Sequence, residues 1–428
     1  MPFPLSEQER RAASRRTTRR IRQVLANCIV IITMLFTLLS TPADPEPYHT
    51  SILSGQMWVD ELLDGHPDRI RCELGLRKED FRELIHVLHS FGEADSRYVT
   101  LEEQLAIFLY TSVTGLTIRH AGERFQRSSD TISKYFRKML IVFSSPPFYT
   151  TYVTLPNAST PPSQRMCHNL KYWPFFQHAL GAIDGTHIAC APAAHERAMY
   201  RNRKGFLSQN CLFACTFDLN FVFGYTGWEG SATDSQVWEA TLDCGFDIPN
   251  GYYYLADSGY PGDPRLLLPY RGVRYHLAKW SRASEKYVTK YSVFKLILMI
   301  YRPRTKEELF NLRHASARNA IERIFGVVKN RFRILRTAPE YSMALQARIP
   351  VALAALYNFI RIREQEQEGE VNDEDELHPI GGWVGDGDDE AERNEGFGEF
   401  NERREQIAVA MWAQYLEEHV RRGIPVPV

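Results

Sequence analysis

The chain of 428 residues is longer than one ordinary domain needs and predicts two or three folded units. A hydrophobic share of 44% with 24% charged residues excludes a disordered chain, a collagen-like fibre and a polytopic membrane protein. The net charge of −1 hides a partition: Glu364 to Glu395 carries 14 acidic residues against one basic, which leaves the rest of the chain at about +12. A basic body with an acidic tail suits a protein that meets polyanions, and equally a solvated surface with a solubilising tail. Seven cysteines without a CxxC pair make no disulfide framework and point to a reducing intracellular compartment.

The N-terminus opens with Arg10, Arg11, Arg15, Arg16, Arg19, Arg20 and Arg22, followed by an apolar run from Val24 to Leu39. That order suits a signal peptide or anchor, although the run is short for a membrane span and contains Asn27. The alternatives are a buried helix, or a basic arm for DNA or nuclear import followed by one. From Trp58 to Leu140 the pattern is helical, with Phe81, Leu84, Ile85, Val87 and Leu88 recurring at helical spacing. Three short helices follow at Leu101–Thr114, Ile118–Phe125 and Asp130–Leu140, with Thr117 and Ser129 placed as N-caps of the second and third. The tight joint at Gln126–Ser128 gives a helix-turn-helix spacing. The last helix carries Ser129, Thr131, Ser133, Lys134, Arg137 and Lys138 on its polar side, suited to phosphates and base edges in a major groove. A plain three-helix bundle with a solvated face has the same pattern.

Beyond a loop rich in Pro, Ser and Thr, from Ser144 to Gln164, strand-length apolar runs appear at Ala179–Cys190, Cys211–Asp218 and Val222–Gly227. A helix is expected at Asp234–Leu242, a strand at Tyr252–Ala256, and helices at Lys306–Leu335 and Met343–Arg363. This order predicts an α/β domain with a mixed sheet. The acidic segment after Glu364 lacks the apolar content to join a core, and an amphipathic helix closes the chain at Asn401–His419, with Ile407, Met411, Trp412 and Tyr415 on one face.

Three acidic residues stand apart. Asp184 lies in GAIDGTH directly after Ala182 and Ile183, Asp257 ends YYYLAD and opens the turn SGYP, and Glu322 lies on a helix among basic residues. Carboxylates at strand ends expose their oxygens beside a rigid sheet. Three that converge repel one another unless a divalent cation neutralises them, and oxygen-only ligands suit Mg²⁺ or Mn²⁺. Two such ions can activate a hydroxyl and stabilise the leaving oxygen of a phosphodiester. Each aspartate taken alone reads as a turn former or helix cap; the strand, strand, helix order sets them apart.

GAIDGTHI, NRKG at Asn202–Gly205, GWEGSATDSQVW, LADSGYP, PYRGVRYH and KEELFNLRHASARNAIERIFGVVKNRFRIL together resemble Harbinger-type transposases and their domesticated nuclease relatives. The resemblance runs from about Pro174 to Arg363, and the upstream helical region is similar to the helix-turn-helix part of the same family. It implies an RNase H-like catalytic fold with an Asp-Asp-Glu triad, which by motif position is Asp184, Asp257 and Glu322. Asp234, in GSATDS, matches a further acidic position and reads either as a metal ligand or as a helix cap. The resemblance also implies a nuclear protein that cuts and joins double-stranded DNA at transposon ends, a Myb-like DNA-binding partner, and no membrane. Paired-end chemistry makes a homodimer the expected assembly. The domains expected on this basis are 1–57, a basic arm and apolar segment; 58–143, helix-turn-helix-like and DNA-binding; 174–363, the nuclease domain; 364–400, an acidic disordered linker; and 401–420, a C-terminal helix.

Around these carboxylates, Arg201, Arg203 and Lys204 form a basic loop, and Arg318, Arg323, Lys329, Arg331 and Arg333 flank Glu322. All are candidates to neutralise DNA phosphates, with binding that weakens as salt rises. His187 could orient a carboxylate, touch phosphate or sit as an ordinary strand-edge histidine. Cys167–His168 and His187–Cys190 form no four-ligand zinc set. One segment departs from the family pattern: YVTKYSVFKLILMIY, Tyr287–Tyr301, inside an insertion at about 285–303. Asp257 and Glu322 are separated by 64 residues, and removing about 17 restores the family spacing. The segment reads as a retained intron or as a real helical insertion; the spliced message distinguishes them. If the protein is catalytically inactive, a domesticated DNA-binding role is the alternative.

Overall fold

The computed structural model describes residues 7–40, 46–273, 303–368 and 398–423. The insertion at about 285–303 and most of the acidic stretch therefore lie outside the described residues. The chain divides into two compact units, Met1–Ile52 and Leu53–Val428.

In the first unit the arginine-rich stretch and the apolar run form one continuous helix, α1 (Glu7–Ser40). Its segment Arg10–Thr37 is long and apolar enough to cross a membrane by length and composition. Thr17, Thr18 and Thr33 donate their hydroxyls to the carbonyls four residues earlier, which satisfies these polar groups within the helix.

The second unit begins with six helices: α2 (Gly55–Asp64), α3 (Pro67–Leu74), α4 (Lys78–Ser90), α5 (Leu101–Thr114), α6 (Ile118–Phe125) and α7 (Ser129–Phe143). Ser54 and Thr100 cap α2 and α5 by accepting from the Met57 and Glu103 amides. The cap of α7 is Ser128, one residue earlier than the sequence suggests, because its hydroxyl accepts from the Thr131 amide. Thr117 precedes α6 with no side-chain cap bond; its hydroxyl meets His120 Nδ1 at 2.8 Å instead. Gln126, left-handed at φ 52°, turns the chain from α6 into α7. Arg127 then holds that turn onto α5 through a two-pronged bond to buried Glu103, both N–O distances being 2.9 Å.

The Pro- and Ser-rich stretch does not act as a simple spacer. It forms the short helix α8 (Phe148–Tyr152), whose Phe148 ring is buried against Phe143 at 4.7 Å, while Tyr152 meets Phe359 at 5.4 Å. A second short helix, α9 (Gln164–Cys167), follows. The aromatic residues hidden in that polar composition join the helical region and the sheet region into one core.

The sheet has five strands in the order β3-β2-β1-β4-β5: β1 (Ala179–Ala189), β2 (Ser208–Cys215), β3 (Phe221–Glu229), β4 (Tyr253–Leu255) and β5 (Leu266–Leu267). β1, β2 and β3 pair antiparallel, whereas β4 joins β1 and β5 joins β4 in parallel, so the sheet is mixed as expected. Alternation sorts the two faces. Ala182, Cys211, Phe213 and Cys215 belong to the large core, and Ile183, Leu212 and Ala214 to a smaller one with Val237 and Trp238 of α10 (Asp234–Asp243). Gly181 lets β1 and β2 approach, since a Cβ there would meet the Cys215 carbonyl oxygen at 1.8 Å. β2 starts three residues before the expected strand and stops at Cys215, and β5 is too short to stand out in the sequence.

The large face is covered by α11 (Lys306–Arg331), a 3₁₀ turn at Arg333–Leu335, and α12 (Met343–Glu368), which runs into the start of the acidic stretch. The apolar part of α12, Met343–Glu366, also has membrane-span length, but 67% of that window is buried, as befits a core helix. The C-terminal helix α13 (Glu399–Arg421) docks on α11 through buried Ala408 and Met411, with Ile407, Trp412 and Tyr415 packed beside them. Lys306 bonds Glu405 of this helix, and Arg404 stacks 4.2 Å from the Tyr270 ring centre.

Candidate active site

Strand geometry brings the first two carboxylates together. β1 and β4 run parallel with Ala182 opposite Leu255, and Asp184 and Asp257 each lie two residues beyond that pair. Asp257 therefore follows the end of β4, whereas Asp184 lies midway along the longer β1, level with that end and not at the end of its own strand as the sequence suggests. Each is held by the backbone that follows it: Asp184 Oδ1 accepts from the Gly185 amide at 2.9 Å, and Asp257 Oδ1 from the Gly259 amide at 2.9 Å.

Asp234 enters from the start of α10. Its reading as the helix cap is overturned, because Thr233 is the cap and forms a reciprocal capping box with Gln236. The Asp234 carboxylate is left for other partners and accepts from Asn210 Nδ2 at 3.2 Å. It reaches β1 because residue 185 has no side chain: a Cβ there would lie 2.5 Å from Asp234 Oδ1. Ser235 Oγ, donating to the Gly259 carbonyl at 3.2 Å, ties this helix to the turn after Asp257.

Glu322 approaches from α11 and meets Asp184 through Arg318. The guanidinium donates to Asp184 Oδ2 at 3.0 Å and, one helical turn along, to Glu322 Oε1 at 2.6 Å. Among the DNA-phosphate candidates, Arg318 is thus engaged by the carboxylates. Side chains of Asp184 and Arg318 are only 18% and 16% exposed, so the pair is poorly screened by water.

Burial pushes the Asp184 carboxyl up to about 7; Arg318 pulls it down, and Asp257, Glu322 and Asp234 add to the rise. Burial likewise raises Asp234, against the pull of Asn210. Burial alone would lower Arg318, but Asp184, Glu322 and Asp257 outweigh it and keep the guanidinium firmly charged. Tyr260, in the turn after Asp257, was not a candidate from sequence. It is 0% exposed, and its hydroxyl has no hydrogen-bond partner. Burial and the charges of Asp234, Asp184 and Asp257 raise that hydroxyl well above its ordinary range, so it faces the same acidic cluster. Its only sequence signal is its place in DSGYP.

The donor set is chemically suited to a hard cation: four carboxylates and an orphaned hydroxyl, all oxygen. Among the described residues no three acidic, His or Cys side chains are gathered closely enough to hold an ion as they stand. Between Asp184 and Glu322 lies the Arg318 guanidinium, with its nitrogens at 3.0 and 2.6 Å from their oxygens. Mg²⁺ would draw its ligand oxygens to about 2.0–2.1 Å.

The remaining basic candidates separate by partner. Lys329 lies two turns beyond Glu322 and donates to Thr186 Oγ1 at 2.6 Å and to the His187 carbonyl at 3.2 Å. Burial pushes its amine down to about 8. Arg331 pairs with Glu364 at 3.0 Å, while Arg323 is half-buried. Arg203 and Lys204 are exposed on the loop between β1 and β2. His187 shares a hydrogen bond of 3.1 Å with Ser208 Oγ and is lowered by burial and by Lys329, Arg203 and Lys204. On α7, Ser129, Lys134 and Arg137 face outward and Thr131 is half-buried. Lys138 is engaged by Glu93 and by Gln104 Oε1, each at 2.8 Å, and turns inward from that face.

Residues 183–358 match the family described as DDE superfamily endonuclease, and residues 50–145 match a domain of unknown function (DUF8040). DDE superfamily endonucleases are generally dependent on divalent metal. The chain is similar to the protein named "Putative nuclease HARBI1" from Homo sapiens, with 27% identity over 184 residues, 42% of this chain and 45% of that protein. The Rattus norvegicus and Bos taurus proteins of the same name are each 26% identical over 186 residues, again 45% of their length. The match thus spans less than half of these relatives. No solved structure matches the chain. The carboxylates gathered where β4 ends against β1 and these likenesses together identify residues 183–358 as a DDE superfamily endonuclease domain, homologous to the Harbinger transposase-derived nucleases.

Proposed function

We propose that the protein is a metal-dependent DNA endonuclease derived from a Harbinger-type transposase, with Asp184, Asp257 and Glu322 as its catalytic carboxylates. The observation that carries this reading is the alignment of Asp184 and Asp257 side by side where β4 ends against the parallel β1, with Asp234 and Glu322 brought to them by α10 and α11. These four residues would hold Mg²⁺ or Mn²⁺. Such a cation, when bound, polarises a phosphodiester and lowers the pKa of an attacking water or sugar hydroxyl. The chain's own contribution is positional. Gly185 and Gly259 amides fix two carboxylates, Asn210 aims the third, and the packed sheet keeps them from drifting.

The substrate in this proposal is double-stranded DNA at transposon ends, followed by joining to target DNA. Lys134, Arg137 and Ser129 on α7 and Arg203 and Lys204 beside the sheet are the outward basic and polar groups that would meet its backbone. A nuclear location, a homodimer and a Myb-like partner belong to the same reading. A second reading, a catalytically inactive DNA-binding protein, is favoured by one observation: Arg318 already neutralises two of the carboxylates.

Incubating the purified full-length protein with a duplex carrying candidate terminal repeats, with Mg²⁺, Mn²⁺ or chelator, tests the two against each other. Metal-dependent nicking that disappears in Asp257→Asn supports the enzyme. Retained DNA binding without nicking under any metal supports the inactive form.

A further inference from the structure

Asp184 and Glu322 do not touch each other; they are joined by one guanidinium that bridges β1 and α11. We propose that Arg318 is a built-in counter-cation, a positioning residue that holds these two carboxylates in the metal-free protein and must release them before a divalent cation can be ligated. It would thereby set the concentration of metal at which the site fills. The inference rests on the reading of the carboxylates as metal ligands and goes beyond it by assigning a role to a residue outside that set.

Three features support it. The first is position: Arg318 Nη1 and Nη2 lie at 3.0 and 2.6 Å from Asp184 Oδ2 and Glu322 Oε1, in the space a cation bound by both would need. The second is chemistry. A guanidinium cannot be discharged at physiological pH, so it cannot make room by losing its proton; it has to move. The third is size. Hydrogen bonds keep the two oxygens apart around a planar group, whereas Mg²⁺ draws oxygens in to about 2.0–2.1 Å. Loading metal therefore exchanges one cation for another instead of filling a vacant, unbalanced acidic pocket. A singly charged ion offers the carboxylates no more charge than Arg318 already does, so the exchange favours divalent ions. Without Arg318, Asp184 would face Asp234, Asp257 and Glu322 with no bridging cation, so the metal-free site should be less stable and the metal-bound one easier to reach.

Mn²⁺ binding to the full-length protein, followed by the electron paramagnetic resonance signal of the free ion, tests the exchange without relying on cleavage. Arg318→Gln should bind Mn²⁺ at least tenfold more tightly than the parent. Its metal-free melting temperature should be lower, and its rise on adding Mn²⁺ larger. Arg318→Lys keeps one charge but cannot fork between two carboxylates, and should fall between the two. If Arg318→Gln fails to fold, the lysine variant decides by the same criterion. Equal or weaker Mn²⁺ binding in the folded variants would overturn the proposal, because Arg318 would then support the ligands and not compete for them. Tighter binding that persists when Asp257→Asn is added to Arg318→Gln lies elsewhere on the chain and also overturns it. Absence of Mn²⁺ binding in parent and variants alike removes the carboxylate reading itself, and the proposal with it.

Discussion

Asp184 offers the sharpest thermodynamic test, because its carboxyl stands at about 7 in the fold against an ordinary value of 3.8. A carboxyl whose pKa is raised by folding contributes stability that is fully present below its unfolded value and is lost as pH rises through its folded value. The window here is therefore about pH 4 to pH 8. At about 1.4 kcal/mol per pKa unit, the whole loss is at most about 4 kcal/mol. Between pH 5 and pH 8 the share expected is roughly 2–3 kcal/mol. Asp184→Asn keeps the shape and a hydrogen-bonding oxygen but cannot ionise. With a chelator present, the stability of the variant relative to the parent should thus rise by that amount on going from pH 5 to pH 8. Thermal or urea unfolding at both pH values measures the change. The variant should at the same time lose cleavage, so that stability is gained where activity is lost. A gap between parent and variant that stays constant across the two pH values would refute the buried, carboxylate-crowded environment assigned to Asp184.

Gly185→Ala places a methyl group 2.5 Å from Asp234 Oδ1 and should displace that carboxylate at a cost of about 1–3 kcal/mol; reduced Mn²⁺ affinity in a folded variant would show it. Lys329, held at about 8 by burial against an ordinary 10.5, should react with an acylating reagent with a midpoint near pH 8, and peptide mass spectrometry across pH 6–11 would find a midpoint near 10 if the environment is wrong. Replacing Lys134 and Arg137 with alanine should weaken binding to duplex DNA and reduce the salt slope by about 2, as two outward cations are lost; an unchanged slope would remove α7 as a DNA contact. Deleting residues 369–397 takes away most of the acidic stretch and should tighten non-specific DNA binding without altering the melting temperature.

Much of the architecture was legible because it is written in local patterns. Apolar runs of strand length marked β1, β2 and β3, the helical period marked α5, α6, α7, α11 and α12, and the carboxylates stood out as charges within or just after apolar runs and on a helix among basic residues. Backbone geometry repeats every few residues, so burial on one face leaves a local signature. Partners of long charged side chains leave none. Arg318 meets Asp184 across 134 residues and Lys329 meets Thr186 across 143, and only the packing of α11 on β1 decides that these cations turn inward while Lys134 and Arg137 on α7 stay outside. The same holds for Asp234, which looks like a cap until Thr233 takes that role and glycine at position 185 opens the way to β1. Tyr260 sits in a turn motif like any other aromatic residue, and its orphaned hydroxyl exists only because the fold buries it beside the carboxylates. The sequence by itself determined the longer elements and the acidic residues on or beside them; tertiary packing decided which charges those residues face, because Coulomb and hydrogen-bond partners depend on distance in space and not on distance along the chain.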